Sequence, residues 1–287
     1  MTFDLPGALR RFDVEAEHAS FDTGRYRCRY VRWGRGPALV IVHGLADQAR
    51  SFAPLMSVLA ANFTCYAPEL PNGLDDNASL VRYCHDDHVA DLLVFLDHLK
   101  LDQLGIVGSS FGSTLSIQAM IAAPDRITRG ILQGGFACRP LRLHERSMAR
   151  LVSFAPGRLR GVPCRKRMTD HHDRPAFVDA PDGAYEYFLE CSGATPIRAA
   201  VRRARMLDRL DLRDRLPLVH QPVLLIGGDR DTLVPKSIEE ELLAGLKTAR
   251  RIEIPRCGHF PQYTHPQQMA DAIRTFLQLE PREPVAL

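Results

Sequence analysis

The sequence predicts an α/β protein built on a mostly parallel sheet. Three observations carry that expectation: short apolar runs recur along the chain, helix-period segments separate them, and one stretch between residues 137 and 215 breaks the rhythm. ALVIVHG (38–44) is near-continuously apolar and ends at Gly, as expected of a strand buried on both faces. FTCYAPEL (63–70), LGIVGSS (104–110), ITRGILQGG (127–135), PVLLIGGD (222–229) and ARRIEIP (249–255) share its length and character. GRYRCRYVRWG (24–34) precedes the first βα unit and reads as one or two antiparallel strands at the sheet edge. Helices are predicted between the runs. Val89, Leu92, Leu93, Leu96 and Leu99 fall on one helical face, as do Ile238, Leu242, Leu243 and Leu246, and a final helix is expected from Pro266 to Leu279. Parallel strands need such crossovers.

Residues 137–215 hold no strong strand run, and their Arg, Leu, Met and aromatic residues sit at roughly helical spacing. They are read as an inserted helical cap, leaving 1–136 and 216–287 as the core. The insert carries 16 Arg and 1 Lys against 10 acidic residues, a balance of +7 that leaves −4 for the rest of the chain.

At 287 residues the chain can bury a large core, and 45% hydrophobic with 25% charged residues excludes disordered and fibrous classes. The net charge of +3 is too small to argue for nucleic acid from the whole chain. Seven cysteines without C-x-x-C spacing fit a reducing compartment. The first residues are interrupted by Asp4, Pro6, Arg10 and Arg11, so they read as neither signal peptide nor membrane span, and the chain is read as cytoplasmic.

Gly108-Ser109-Ser110-Phe111-Gly112 follows an apolar run and precedes a helical one, the context in which G-x-S-x-G presents a serine nucleophile. A serine on so sharp a turn must tolerate strained backbone angles, and glycines two residues to either side let neighbouring backbone pass closely. Serine needs a base, and the base needs an orienting acid. Cys257-Gly258-His259-Phe260-Pro261 puts His259 on a loop after the last predicted strand, where a base belongs. For the acid, Gly228-Asp229-Arg230-Asp231-Thr232-Leu233-Val234-Pro235 offers two carboxylates. With either one the chain order is Ser, Asp, His.

On these motifs the sequence resembles the α/β-hydrolase superfamily, in the branch with a helical cap after the sixth strand, and the resemblance runs from about Gly24 to Leu279. The resemblance implies the fold, a mostly parallel central sheet flanked by helices, and it selects Asp231. Relatives carry the acid three residues after a Gly, before an apolar pair and Pro, which leaves Asp229 as a solvated turn residue. It also implies an oxyanion hole from the backbone N–H groups of Leu45, after His43-Gly44, and of Phe111. Two departures stand out. Ala46 replaces the second Gly of H-G-L-G-D, and Asn72 replaces a Gly in D-L-P-G, at a position where Asn tolerates left-handed backbone. Because residue 110 is Ser rather than Asp, dehalogenase and epoxide-hydrolase chemistries of related branches are disfavoured.

His85-Asp86-Asp87-His88 and Asp170-His171-His172-Asp173 could suggest a metal, but neighbouring helical residues point in different directions and neither run closes a ligand set, so no metal and no cofactor is expected. Arg202, Arg203, Arg205 and Arg209, with Asp208 and Asp211, read as a solvated helix face, and no base-reading motif supports nucleic acid. The expected function is cofactor-free hydrolysis of small to medium carboxylic esters through an acyl-enzyme. Carbon–carbon, lactone or thioester cleavage on the same residues is the alternative, as is a non-catalytic receptor or scaffold. Leu141, Leu143, Met148, Leu151, Val152, Phe154, Tyr185, Tyr187, Phe188 and Leu189 are expected to roof the nucleophile and limit substrate size.

Overall fold

The computed structural model describes residues 3–153 and 155–278. Eight strands form one sheet: β1 (Glu17–Asp22), β2 (Arg27–Gly34), β3 (Ala38–Val42), β4 (Thr64–Pro68), β5 (Leu104–Ser109), β6 (Ile127–Gln133), β7 (Val223–Gly228) and β8 (Ala249–Ile254). Their order is β1-β2-β4-β3-β5-β6-β7-β8. β1 and β2 pair antiparallel, β2 pairs antiparallel with β4, and every other pairing is parallel. The six predicted strands are present, although β8 lies at the sheet edge with only Ile254 buried, and the segment expected at the other edge proves to be a full hairpin that starts earlier than Gly24. A helix at Leu5–Glu15, which the sequence reading did not anticipate, covers one face of the sheet through Phe12, edge-on to Trp33.

All of β5 and nearly all of β3 are buried, because alternate residues feed two different cores. Val40, Val42 and Ile106 pack with the helices His85–His98 and Phe111–Ala122. Leu39, Ile41 and Val107 face the other way, onto Ala53–Leu59 and Pro266–Gln278. The predicted final helix therefore reaches at least Gln278, and Leu279 lies outside the described residues. Strand order reverses between β3 and β5: the chain leaves β3 toward one face and β5 toward the other. A crevice opens at their carboxyl ends, the place where open α/β sheets hold ligands.

Between β6 and β7 the described residues form the helices Leu143–Leu151, Arg165–His172, Ala184–Ala194 and Ile197–Leu207, with short 3-10 turns. Both ends of this segment meet at a neck, where Cys138 bridges Asp211 and the Leu212 N–H donates to the Ala137 carbonyl at 2.9 Å. Tyr185, Tyr187 and Phe188 pack with Phe177 on Phe260 and Tyr263, next to His259 in the chain. Leu143, Met148 and Leu151, expected over the nucleophile, point to solvent instead. Phe154 lies outside the described residues. The predicted solvated arginine face also needs correcting: Arg203 is only 2% exposed.

Ile106→Ala, in the middle of β5, should lower the unfolding free energy by about 2–5 kcal/mol in a denaturant titration, because neighbours on both sides prevent the cavity from collapsing. Leu143→Ala, at an 81% exposed position, should change it by no more than about 0.5 kcal/mol.

Candidate active site

The carboxyl ends of five strands supply the candidate residues. Ser110 follows β5 with φ 51° and ψ −114°, a conformation that L residues avoid. Its surroundings hold it there. A Cβ on Gly112 would lie 2.2 Å from the Val42 carbonyl oxygen, and one on Gly108 would lie 2.5 Å from the Gly112 carbonyl oxygen, so neither position accepts a larger residue. The Ser110 N–H donates to the Gln133 carbonyl at 2.9 Å.

His259 stands on the loop after β8, 7% exposed, and its Nδ1 lies 2.7 Å from Asp231 Oδ2. The other oxygen of Asp231 accepts the Leu233 and Val234 N–H groups at 2.9 and 2.8 Å. A carboxylate so placed accepts a hydrogen bond from Nδ1–H and leaves Nε2 as the basic nitrogen. Asp229 is not a merely solvated turn residue. Its Oδ1 accepts the Cys257 N–H at 3.0 Å, which braces the end of β7 against the His259 loop, and hydrogen bonding from the Arg256 backbone first, then Cys257, holds its carboxyl below the usual range. The structure thus pairs His259 with Asp231, the carboxylate that the resemblance selected.

Gln133 ends β6, and sequence reasoning did not single it out as a site residue. It joins both halves of the site. Its Oε1 accepts from Ser109 Oγ at 2.5 Å and its Nε2 donates to the His259 carbonyl at 3.0 Å. Gly134 follows with φ 51°, and a Cβ there would strike the His259 ring at 2.6 Å. The elbow and the imidazole therefore meet across Gln133-Gly134.

The loop after β3 lies against the elbow: a Cβ on Gly44 would sit 3.5 Å from Ser110 Cβ. His43 Nε2 accepts the Leu70 N–H at 3.0 Å, so its proton is on Nδ1, which bonds the Gly44 carbonyl at 2.9 Å. That bond fixes the Gly44–Leu45 peptide, whose N–H belongs to Leu45. Among the described residues no acceptor takes the N–H of Leu45 or of Phe111. The next peptide is held from the helix Ile197–Leu207: Arg203 donates to the carbonyls of Leu45, Leu70 and Pro71 at 2.9, 3.1 and 3.2 Å. Burial and the Arg203 charge push His43 down to about 3, so it is neutral and its 3.7 Å approach to Glu69 is no ion pair. Asp47, a buried carboxyl that sequence reasoning missed, receives the Tyr263 hydroxyl at 2.8 Å and Gln262 Nε2 at 3.3 Å. It ties the same loop to the turn after His259.

The two candidate metal runs are spread over separate contacts. Asp87 caps the helix His85–His98 through the Cys84 N–H, and His85 bonds Thr114. No group of three or more potential ligands occurs among the described residues, nor any helix long and apolar enough to cross a membrane.

With this geometry in place, comparison with known proteins is direct. The family described as alpha/beta hydrolase fold matches residues 37–266, and the chain belongs to it. It is 28% identical over 264 residues to haloalkane dehalogenase 2 of Mycobacterium tuberculosis, across 88% of this chain and 92% of that protein. It is 30% identical over 250 residues to the pimeloyl-(acyl-carrier protein) methyl ester esterase of Stenotrophomonas maltophilia, across 85% of this chain and 94% of the other. Bromoperoxidase from Bacillus anthracis superposes with a TM-score of 0.79 at 17% identity, covering 92% of this chain and all of that one, a likeness of fold.

The buried histidines set a pH dependence of stability. His43 at about 3, His85 at about 4 and His88 well below its ordinary value stay neutral when native, whereas the unfolded chain protonates all three below about 6.5. Their contribution is complete above that pH and is lost as pH falls. Glu69, pushed up to about 7 by burial, acts in the opposite sense and offsets one of those protons; burial also raises Asp47, Asp91, Asp173 and Glu239, which add to that opposition, and lowers His265, which adds to the histidines. Each histidine proton left without such an offset is worth about 1.4 kcal/mol per pH unit. Calorimetric melts should therefore show Tm falling from pH 6.5 to pH 5; a flat or rising Tm contradicts the assignment.

Proposed function

We propose that this protein is a serine hydrolase that cleaves small to medium carboxylic esters through an acyl-enzyme. The observation that carries the reading is the 2.7 Å pair of His259 Nδ1 and Asp231 beside a serine at φ 51°. Ser110 Oγ attacks the acyl carbonyl and passes its proton to His259 Nε2. Asp231 holds the ring and stabilises the imidazolium. The oxyanion lies against the N–H groups of Leu45 and Phe111, and the helix beginning at Phe111 adds its positive end. The protonated His259 then gives its proton to the leaving alcohol. Water, deprotonated by the same nitrogen, releases the acid.

Dehalogenation, the activity named for one relative, is not adopted, because an aspartate nucleophile would be needed at position 110. The ester reading agrees with the methyl ester esterase among the relatives. Residues 137–215 serve as a cap on the core 1–136 and 216–287, a division supported by the neck at Cys138 and Asp211. His259 and Phe111 are buried and Ser110 half-buried, so the nucleophile is recessed and favours compact acyl groups. A cytoplasmic setting suits seven unpaired cysteines.

Ser110→Ala should abolish both p-nitrophenyl ester turnover and fluorophosphonate labelling with little change in Tm, while Ser109→Ala remains labelled. Labelling that survives in the Ser110 variant rejects the nucleophile. kcat/KM should fall as the acyl chain lengthens, and peak activity on emulsified long-chain lipid rejects the size preference.

Asp231→Asn should lower kcat by roughly 10⁴ through loss of the productive tautomer. Asp229→Asn should cost far less in kcat, its effect appearing in Tm, because the amide oxygen still accepts the Cys257 N–H. Equal losses of kcat in the two variants would overturn the assignment of the acid.

A further inference from the structure

A groove of about 550 Å³ lies between the helices Leu143–Leu151 and Ile197–Leu207 and the start of His85–His98, and none of Ser110, Asp231 or His259 lines it. Arginines dominate its walls. Arg202 and Arg205 stand three residues apart on one helix, with Arg209 on the turn that follows it, and Arg146 and Arg150 stand four apart on the helix packed against it. Like charges at that spacing destabilise a helix unless something neutralises them.

Only part of that charge is matched inside the protein. Arg146 pairs with Asp208 at 2.8 Å, and Arg202 Nε donates to the Tyr83 carbonyl at 2.8 Å. Arg209 adds only its field to Asp208. Arg150 and Arg205 make no side-chain hydrogen bond or ion pair among the described residues. Both are exposed at the groove wall, as is Arg209.

The remaining observation concerns two further lining residues, each more than nine-tenths buried. Tyr83 is 4% exposed and its hydroxyl has no partner; His85 is 7% exposed and its Nδ1 has none. The Thr114 hydroxyl donates to the Phe111 carbonyl at 2.7 Å, so it accepts from His85 Nε2–H at 2.9 Å and leaves Nδ1 as a bare acceptor. Burial pushes His85 down to about 4, which keeps that lone pair free at neutral pH. Buried polar atoms of native proteins are normally satisfied. A donor and an acceptor left unpaired on lining residues of a groove that also carries unmatched arginines suit a ligand with both an anion and a hydroxyl or amide.

We infer that this groove is a binding site, separate from the catalytic centre, for a soluble phosphorylated small molecule, its phosphate held by Arg150, Arg205 and Arg209 and its hydroxyl- or amide-bearing body resting on Tyr83 and His85. Guanidinium forks match phosphate oxygens two at a time, and three uncompensated cations exceed what a single carboxylate neutralises. The volume falls within the range of small-molecule sites. The inference stands whether or not Ser110 is the nucleophile.

Calorimetric titration of the full chain with inorganic pyrophosphate, glycerol 3-phosphate and malonate tests it. Pyrophosphate should bind one saturable site, more tightly than malonate and more weakly as salt rises. Arg150→Glu/Arg205→Glu should weaken it by at least about tenfold, and the neutral replacement Arg205→Gln should weaken it by a smaller factor, both with an unchanged Tm. Tyr83→Phe should weaken glycerol 3-phosphate and leave pyrophosphate unaffected. No saturable pyrophosphate binding, malonate binding as tightly, or arginine variants that bind like the unmodified protein would each overturn the inference. Should the double variant fold poorly, Arg205→Gln and the malonate comparison still decide. Attachment to phosphatidic acid vesicles without pyrophosphate binding would move the anion to a lipid surface and also overturn it.

Discussion

The buried guanidinium of Arg203 is the contact on which the candidate site most depends. A cation taken out of water is costly unless its donors find partners. Here Nη1 and Nη2 find the carbonyls of Leu45, Leu70 and Pro71, three groups at the ends of β3 and β4 that would otherwise be orphaned beneath the helical segment, while Nε has no partner among the described residues. Burial brings Arg203 down to about 10, still charged at neutral pH, and the field of Glu69 favours that charge. One side chain thus joins the helical insert to the loop that presents the Leu45 N–H, and its charge is part of why His43 stays neutral. A neutral His43 is in turn what lets one ring nitrogen accept from Leu70 while the other bonds the Gly44 carbonyl.

A second constraint runs through Gln133. A serine at φ 51° stores about 1–3 kcal/mol of backbone strain. That strain persists because the elbow is held from several directions: by the Gln133 carbonyl on the Ser110 N–H, by close backbone at Gly108 and Gly112, and by the Gln133 amide bridging Ser109 and the His259 loop. Asp47 closes the arrangement from the opposite side, linking the loop after β3 to Gln262 and Tyr263. Buried polar networks of this kind are favourable only when they are fully satisfied, and most of the buried polar atoms around the elbow are paired. Gln262 Oε1 and Arg203 Nε are unpaired within it, and the Tyr83 hydroxyl and His85 Nδ1 are unpaired outside it.

Much of the fold was legible because its signals are local. A strand buried on both faces must be apolar at every position, so the runs at β3, β5 and β7 announced themselves, and the helix period of 85–98 did the same. The helix Leu5–Glu15 was missed because it is amphipathic with few apolar residues, and only the surface it covers explains it. Ser110 and His259 were readable as candidates because a strained elbow and a base on the loop after the last strand impose fixed residue types on their neighbours. Asp231 was separable from Asp229 only through family spacing; the hydrogen bonds give the physical reason, since one carboxylate faces His259 and the other the Cys257 N–H.

The sequence by itself determined the strands, the elbow with its glycines, and the chain order of the candidate serine, acid and base. Each depends on contacts within a few residues, where residue type and spacing suffice. Tertiary structure alone decided which arginine of the run at 202–209 turns inward, that Gln133 and Asp47 brace the site, and that Leu143 and Leu151 face solvent rather than the nucleophile. Those outcomes depend on which surfaces meet across long separations, and a helical pattern says which residues share a face without saying what that face will cover.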